Sequence, residues 1–201
     1  MSSVDNHDLD ILKSYLSSDH PMPKSELQFV SKYVKKRSYK KGDYILNYMD
    51  VEKKVAFLVD GIVHQYNLID GDILTINIAL PGTTFNSFIS YVQETPSQQI
   101  QEVIKDVTML YLEKRDLELC AKSCPNFCYI LLNKHEQFHL RREKRTFILQ
   151  HKSAVKRFEL FMEDKDVSTQ YWNYVPQRLI ASYLGLTPES LSRAKRRHTT
   201  I

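Results

Sequence analysis

Glycine is scarce in this chain, five residues in 201, and from position 126 to 165 neither glycine nor proline occurs. Forty residues without a breaker predict one long helix, or two with a bend. Cysteine is absent from residues 1–119, and the three that follow, Cys120, Cys124 and Cys128, are an odd number. That argues against a disulfide framework and favours reading these residues as small apolar packing groups. Their spacing of four would stack them on one helical face, but Pro125 argues against a continuous helix through all three. No close fourth ligand accompanies them, so no metal site is assigned. No stretch reaches 18 apolar residues, and the opening MSSVDNHDLD is polar and acidic, without the basic start and apolar run of a signal peptide. The expectation is a cytoplasmic protein that does not enter a membrane. Catalytic groupings are lacking too. Between 37 and 113 the only histidine is His64, read as a satisfied barrel residue, and no Ser/His/Asp, Cys/His or paired-carboxylate arrangement stands out, so the chain is not read as an enzyme.

What is present is unevenly distributed. The net charge is +4, but residues 1–120 carry 13 Lys+Arg against 17 Asp+Glu, and residues 121–201 carry 15 against 7. An acidic part joined to a basic one suggests that only the second meets a polyanion; charge alone fits nucleic acid and a membrane surface equally.

Residues 6–17 and 23–36 have helical periodicity, through Leu9, Leu12 and Leu16 and then Leu27, Val30 and Val34. From 37 to 113 short β-rich runs replace it. Two Asp-Gly pairs, Asp60-Gly61 and Asp70-Gly71, suit type I′ turns, so VAFLVDGIVHQYNLIDGDILTINIAL predicts three consecutive antiparallel strands. Lys41-Gly42 and Pro81-Gly82 mark further turns and VTMLYL at 107–112 a closing strand, together the pattern of a small β-barrel or jelly roll. In the breaker-free stretch the apolar positions recur at helical spacing without a clean heptad through RREKR at 141–145, and such a helix could pair with its own copy. DKDVSTQ at 164–170 predicts a linker or exposed turn. His135 and His139, four apart, are half a metal site at most and are read as surface histidines.

The terminal segment QRLIASYLGLTPESLSRAKR, Gln177 to Arg196, has a helix-turn-helix register. Ala181 is small where two helices cross, Gly185 supplies positive φ in the turn, and Ile180, Leu184, Leu186 and Leu191 fill the wedge. Thr187 suits an N-cap and Pro188 a first helical position. The second helix would then present Thr187, Glu189, Ser190, Ser192 and Arg193 to base edges and nearby phosphates, followed by Lys195, Arg196 and Arg197 for phosphates. Double-stranded DNA is the expected partner.

In that order, a β-barrel, a long helix and a terminal helix-turn-helix resemble the Crp/Fnr family of bacterial transcription regulators. LTPESLSR at 186–193 is similar to the family's recognition helix, with Glu189 and Arg193 at the two reading positions; KKGDYIL at 40–46 and FLVDGIVHQY at 57–66 resemble the barrel's opening strands. The resemblance implies an α+β chain: a cyclic-nucleotide-binding-like sensor barrel over 1–122, a long dimerisation helix over 123–150 and a helix-turn-helix domain over 151–201. It further implies a homodimer on a two-fold operator and contact with RNA polymerase.

Two departures stand out. Pro188 occupies the place where many members carry an extra Arg before the Glu. In PGTTFNSFISYVQETPSQQIQ, 81–101, the Gly-Glu-Leu and Arg-Ser of the cyclic-nucleotide cassette are missing. Asn86 and Ser87 fall near the first, Ser97, Gln98 and Gln99 near the second, so any ligand pocket is neutral and polar. Cyclic AMP is not expected to bind, because amides cannot replace a charge-assisted bidentate bond; another small molecule, or no effector, is expected. The absence of cysteine from 1–119 argues against an iron–sulfur cluster, and no cofactor is assigned. Only His198 to Ile201 follow Arg197, so the β-hairpin wing found in many members is expected to be shortened or absent. The competing reading is a cyclic-nucleotide or small-molecule-binding module that does not touch DNA.

Overall fold

The computed structural model describes residues 4–18 and 20–199. Two helices lead in, α1 (Asn6–Leu16) and α2 (Lys24–Ser31). The first is closed by a capping box in which Asp5 accepts from the Asp8 N–H at 2.9 Å and Asp8 accepts from the Asp5 N–H at 3.0 Å. The strands are β1 (Lys35–Tyr39), β2 (Tyr44–Leu46), β3 (Lys54–Ile69), β4 (Asp72–Ala79) and β5 (Thr84–Phe85), then, after the short α3 (Phe88–Gln93), β6 (Gln99–Glu113). They form one antiparallel sheet whose path runs β1-β6-β3-β4, with β2 added to β6 and β5 to β3. That path is open; the turn pattern predicts a small β-barrel or jelly roll.

The second helical run of the sequence is cut short. Periodicity predicts a helix to 36, but α2 ends at Ser31 and Lys35 to Tyr39 instead pair with Tyr111 to Val107 of β6. The two Asp-Gly pairs also part company. Asp70 and Gly71 have φ of 54° and 88° and turn β3 into β4 as predicted. At Asp60-Gly61 the chain does not turn back: β3 runs straight through as a 16-residue strand, and of the pair only Gly61 has positive φ, at 102°. The glycine is there because its backbone crosses β6 closely; a Cβ would run into the Asp106 carbonyl oxygen and sit 2.8 Å from Val107 Cα.

Alternation along the strands builds two apolar clusters. Phe57 and Leu110 point to one face, where Leu12, Leu16, Val30, Val34, Cys120, Cys124, Phe127 and Ile130 cover them. Ala56, Leu58, Val107 and Met109 point to the other, with Ile45, Val63, Ala79, Phe85 and Val103. Cys120 and Cys124 are thus packing residues, and burial pushes the Cys120 thiol up to about 11. Pro125 separates α4 (Lys114–Ser123) from α5 (Pro125–Gln150), with Cys124 held extended between them. Glu26 accepts from the Phe127 N–H at 3.0 Å and the Asn126 side chain at 2.8 Å, placing a carboxylate on the positive end of α5.

The breaker-free stretch does divide. Alpha5 stops at Gln150 and α6 (Ala154–Glu163) begins with Ser153 as its N-cap, a bend made by a polar cap rather than by glycine or proline. The predicted linker at 164–170 is helical: Asp164 caps α7 (Lys165–Tyr174), whose Ser168 and Tyr171 are buried. Then come α8 (Gln177–Tyr183) and α9 (Pro188–Thr199). Thr200 and Ile201, where a shortened wing would end, lie outside the described residues.

The chain forms two compact units. One comprises residues 1–64 and 79–137, the other 65–78 and 138–201. The tip of the β3–β4 hairpin therefore belongs with the C-terminal helices.

Gly61→Ala should destabilise the protein by about 3 kcal/mol, combining positive φ with overpacking against β6. Gly42→Ala and Gly71→Ala, where a Cβ meets nothing within 4 Å, should cost only about 1 kcal/mol each. Urea midpoints at unchanged slope would measure the contrast, and equal losses at all three positions would contradict it.

Candidate nucleic-acid interface

Alpha9 has one face buried and the other in solvent. Leu191 is 2% exposed and Ala194 0%, while Thr187, Glu189, Ser192, Arg193, Lys195, Arg196 and Arg197 are exposed and Ser190 is half-buried. The helix starts where the residue types require. Pro188 is its first residue, and Thr187 Oγ1 accepts from the Ser190 N–H at 3.2 Å. The same end orders two of the predicted reading groups. Arg193 Nη2 donates to Ser190 Oγ at 3.1 Å. The Glu189 carboxyl is held below the usual carboxylate range by its own backbone N–H, by the Thr187 hydroxyl and by nearby Arg193.

What fixes this helix is an aromatic and cationic frame that periodicity does not reveal. Alpha6 places Phe158, 2% exposed, with its ring 6.0 Å from Trp172 and 5.5 Å from His198. The Lys195 ammonium lies 4.7 Å from the centroid of the Trp172 ring. Of the three cations assigned to phosphates, Lys195 is therefore also committed to an aromatic face. The inner faces of α6, α7 and α8 meet through Phe161, Tyr171 and Tyr183, with the two tyrosine rings 5.0 Å apart. Burial raises both tyrosine hydroxyls above their ordinary value, so they remain protonated donors.

Gly185, with φ of 62°, turns the chain from α8 to α9. The turn leaves main-chain carbonyls that α8 cannot satisfy, and Arg157 answers them. Its Nη1 donates to Gly185 O at 2.8 Å and Leu184 O at 3.2 Å, while Nε donates to His151 O at 2.6 Å. A Cβ on residue 185 would lie 3.0 Å from that Nη1, a second reason for glycine at this position. Because Arg157 is 27 and 28 residues from the turn it holds, no local motif marks it.

The residues proposed for a ligand pocket lie in the other unit. Ser87 and Ser97 are buried and come together, Oγ to Oγ at 2.8 Å; Ser97 Oγ also donates to Gln99 O and accepts from the Gln99 N–H. Asn86 and Gln99 are half-buried and Gln98 is exposed. Sequence reasoning missed the group at the centre. Glu52, 2% exposed, accepts from Gln101 Nε2 at 2.8 Å and the Ser87 N–H at 3.3 Å, with Lys54 Nζ at 3.5 Å. The region is thus built around a carboxylate. Gln101 Oε1 is buried there without a hydrogen-bond partner. Among the described residues no group of three or more His, Cys, Asp or Glu could hold a metal; His135 lies 5.5 Å from the Phe88 ring and His139 6.4 Å from Phe138. No helix of the described residues is long and apolar enough to cross a membrane.

Two exchanges test the frame. Thr187→Ala should cost about 1 kcal/mol through the lost cap. Arg157→Met should cost about 1 kcal/mol, because it removes the donor of partly buried carbonyls. Thermal melts would read both, and an Arg157→Met protein as stable as the parent would refute the assignment.

No protein-family model matches the chain, and no curated protein matches it. Solved structures do. The chain is similar to FixK2 from Bradyrhizobium japonicum at 25% identity, covering 83% of this chain and 85% of that one with a TM-score of 0.68. It is similar to the catabolite activator protein of Thermus thermophilus at 17% identity, 93% and 87% coverage and a TM-score of 0.52. The sensor domain of the transcriptional regulator DNR from Pseudomonas aeruginosa aligns at 16% identity over 67% of this chain and 90% of its own, with a TM-score of 0.54. The chain shares its fold with these proteins.

Proposed function

We propose that this chain is a sequence-specific DNA-binding transcription regulator of the Crp/Fnr type, acting as a homodimer on a two-fold operator. The observation that carries the reading is α9: its apolar side is fixed by Leu191 and Ala194, leaving Glu189, Ser192, Arg193, Arg196 and Arg197 outward on one short helix. In a major groove, the carboxylate accepts from a cytosine amino group and Arg193 donates twice to guanine. Arg196 and Arg197 then meet phosphates. FixK2, the catabolite activator protein and DNR support a regulator.

Alpha5 favours self-association. Tyr129, Leu132, Leu140 and Phe147 are 50–58% exposed. At about 100° per residue, Tyr129, Leu140 and Phe147 fall within about 20° of one another, with Leu132 about 60° away. A second copy of the same stripe would cover this apolar line, and two reading helices related by a two-fold axis would follow from it. A contact with RNA polymerase accompanies this reading.

Cyclic AMP is a poor ligand for the first unit on this view. Glu52 supplies a carboxylate among the cassette residues, and no Arg occurs between 81 and 101. A phosphodiester bound there would have no guanidinium to pair with.

Binding to an operator selected from random DNA should weaken steeply with salt as phosphate contacts release counterions. Arg193→Ala should relax selectivity at one base position by about 1–3 kcal/mol, whereas Arg197→Ala should weaken all sequences alike and flatten the salt slope by about one. Anisotropy titrations measure both, and salt-independent or absent binding by the parent protein would overturn the reading. Titration calorimetry with cyclic AMP should give no saturable heat; micromolar affinity would refute the account of Glu52.

A further inference from the structure

Strand β3 and helix α5 each begin in the first unit and end in the second, so both are covalent routes from the sheet to the C-terminal helices. Within the second unit α5 meets β4, the second strand of the hairpin, and α8 at one side chain. Arg145, on α5, donates from Nη2 to Thr75 O at 2.6 Å, from Nη1 to Ile76 O at 2.8 Å and from Nε to Tyr183 O at 3.0 Å. The first two carbonyls belong to β4, the third to the last residue of α8. Its guanidinium carbon lies 4.4 Å from the centroid of the Tyr183 ring. Among the described residues no carboxylate pairs with it, so the cation is spent on main-chain oxygens. Two further bonds follow the same seam: Thr75 Oγ1 and Ser182 Oγ are 2.6 Å apart, and the Tyr171 hydroxyl donates to Ile78 O at 3.1 Å.

We propose that Arg145 is the positioning residue of the DNA-reading helix, locking the β3–β4 hairpin to α8 so that the place of the hairpin sets the place of α9. The inference rests on the DNA-binding reading for its consequence but not for its mechanics. Three properties support it. The bonds are to backbone, so they track the path of the hairpin whatever side chains it carries. They need a planar fork with donors in three directions, which only Arg supplies. And Tyr183 is followed within five residues by the start of α9, across a turn already held by Arg157. Any shift of the hairpin that carries Thr75 and Ile76 pulls on Tyr183, and through it on the reading head. Burial draws the Arg145 pKa below its ordinary value.

The test uses the full chain carrying Arg145→Lys, with Arg142→Ala, an exposed neighbour on the same helix, as control. Hydrogen exchange read by mass spectrometry should speed up about tenfold in both 72–78 and 179–186 for Arg145→Lys and in neither for the control. On DNA the ratio of operator to random-sequence affinity should fall about tenfold, with random-sequence affinity retained. Faster exchange in the hairpin alone, or in neither segment, overturns the proposal. So does an equal loss on all sequences with unchanged exchange, which would make Arg145 a phosphate contact. If Arg145→Lys fails to fold, Thr75→Val removes the hydroxyl bond at the same seam and should reproduce the paired change in exchange at smaller size; no paired change refutes the lock. Should the parent protein bind no DNA, the functional reading fails while the exchange result still decides the coupling.

Discussion

Main-chain carbonyls that accept from two arginine side chains tie the second unit together. The turn after α8 leaves Leu184 and Gly185 with such oxygens, the last residue of α8 leaves Tyr183, and β4 presents Thr75 and Ile76. Each needs a donor, and a buried carbonyl without one costs as much as a bond is worth. Two arginines, Arg145 on α5 and Arg157 on α6, supply six bonds between them. The aromatic cluster of Phe161, Tyr171 and Tyr183 packs beside these closed polar ends. Remove the arginines and the same apolar surfaces would have to coexist with open main chain.

That dependence explains what the sequence showed and what it hid. Rules that act over a few residues were legible: the cap at Thr187, proline at 188, the positive φ of Gly185, the I′ turn at Asp70-Gly71. Where a distant partner decides, the same rules misled. Asp60-Gly61 has the same composition as a turn, but β6 lies across it and holds the strand straight. DKDVSTQ has the polarity of a linker, but Asp164 as a cap and the buried side of Tyr171 make it helix. The break at 151–153 had no glycine or proline to announce it; a serine cap made it. The partners of Arg145 and Arg157 are 6 to 70 residues away, most of them beyond any motif.

The polar interior of the first unit follows the same economy with opposite charge. Ser87 and Ser97 satisfy each other, and Glu52 gathers the Gln101 amide, the Ser87 N–H and Lys54. Gln101 Oε1 is buried there without a hydrogen-bond partner.

Trp172 is the only tryptophan in the chain, and it sits with Phe158 on one side and the Lys195 ammonium over its ring. Its emission is therefore not an average over the molecule but a local optical signal from the base of α9. Displacement of the Lys195 cation from the indole face changes the field on that one chromophore, so the protein carries a built-in, label-free gauge of what its terminal helix is doing.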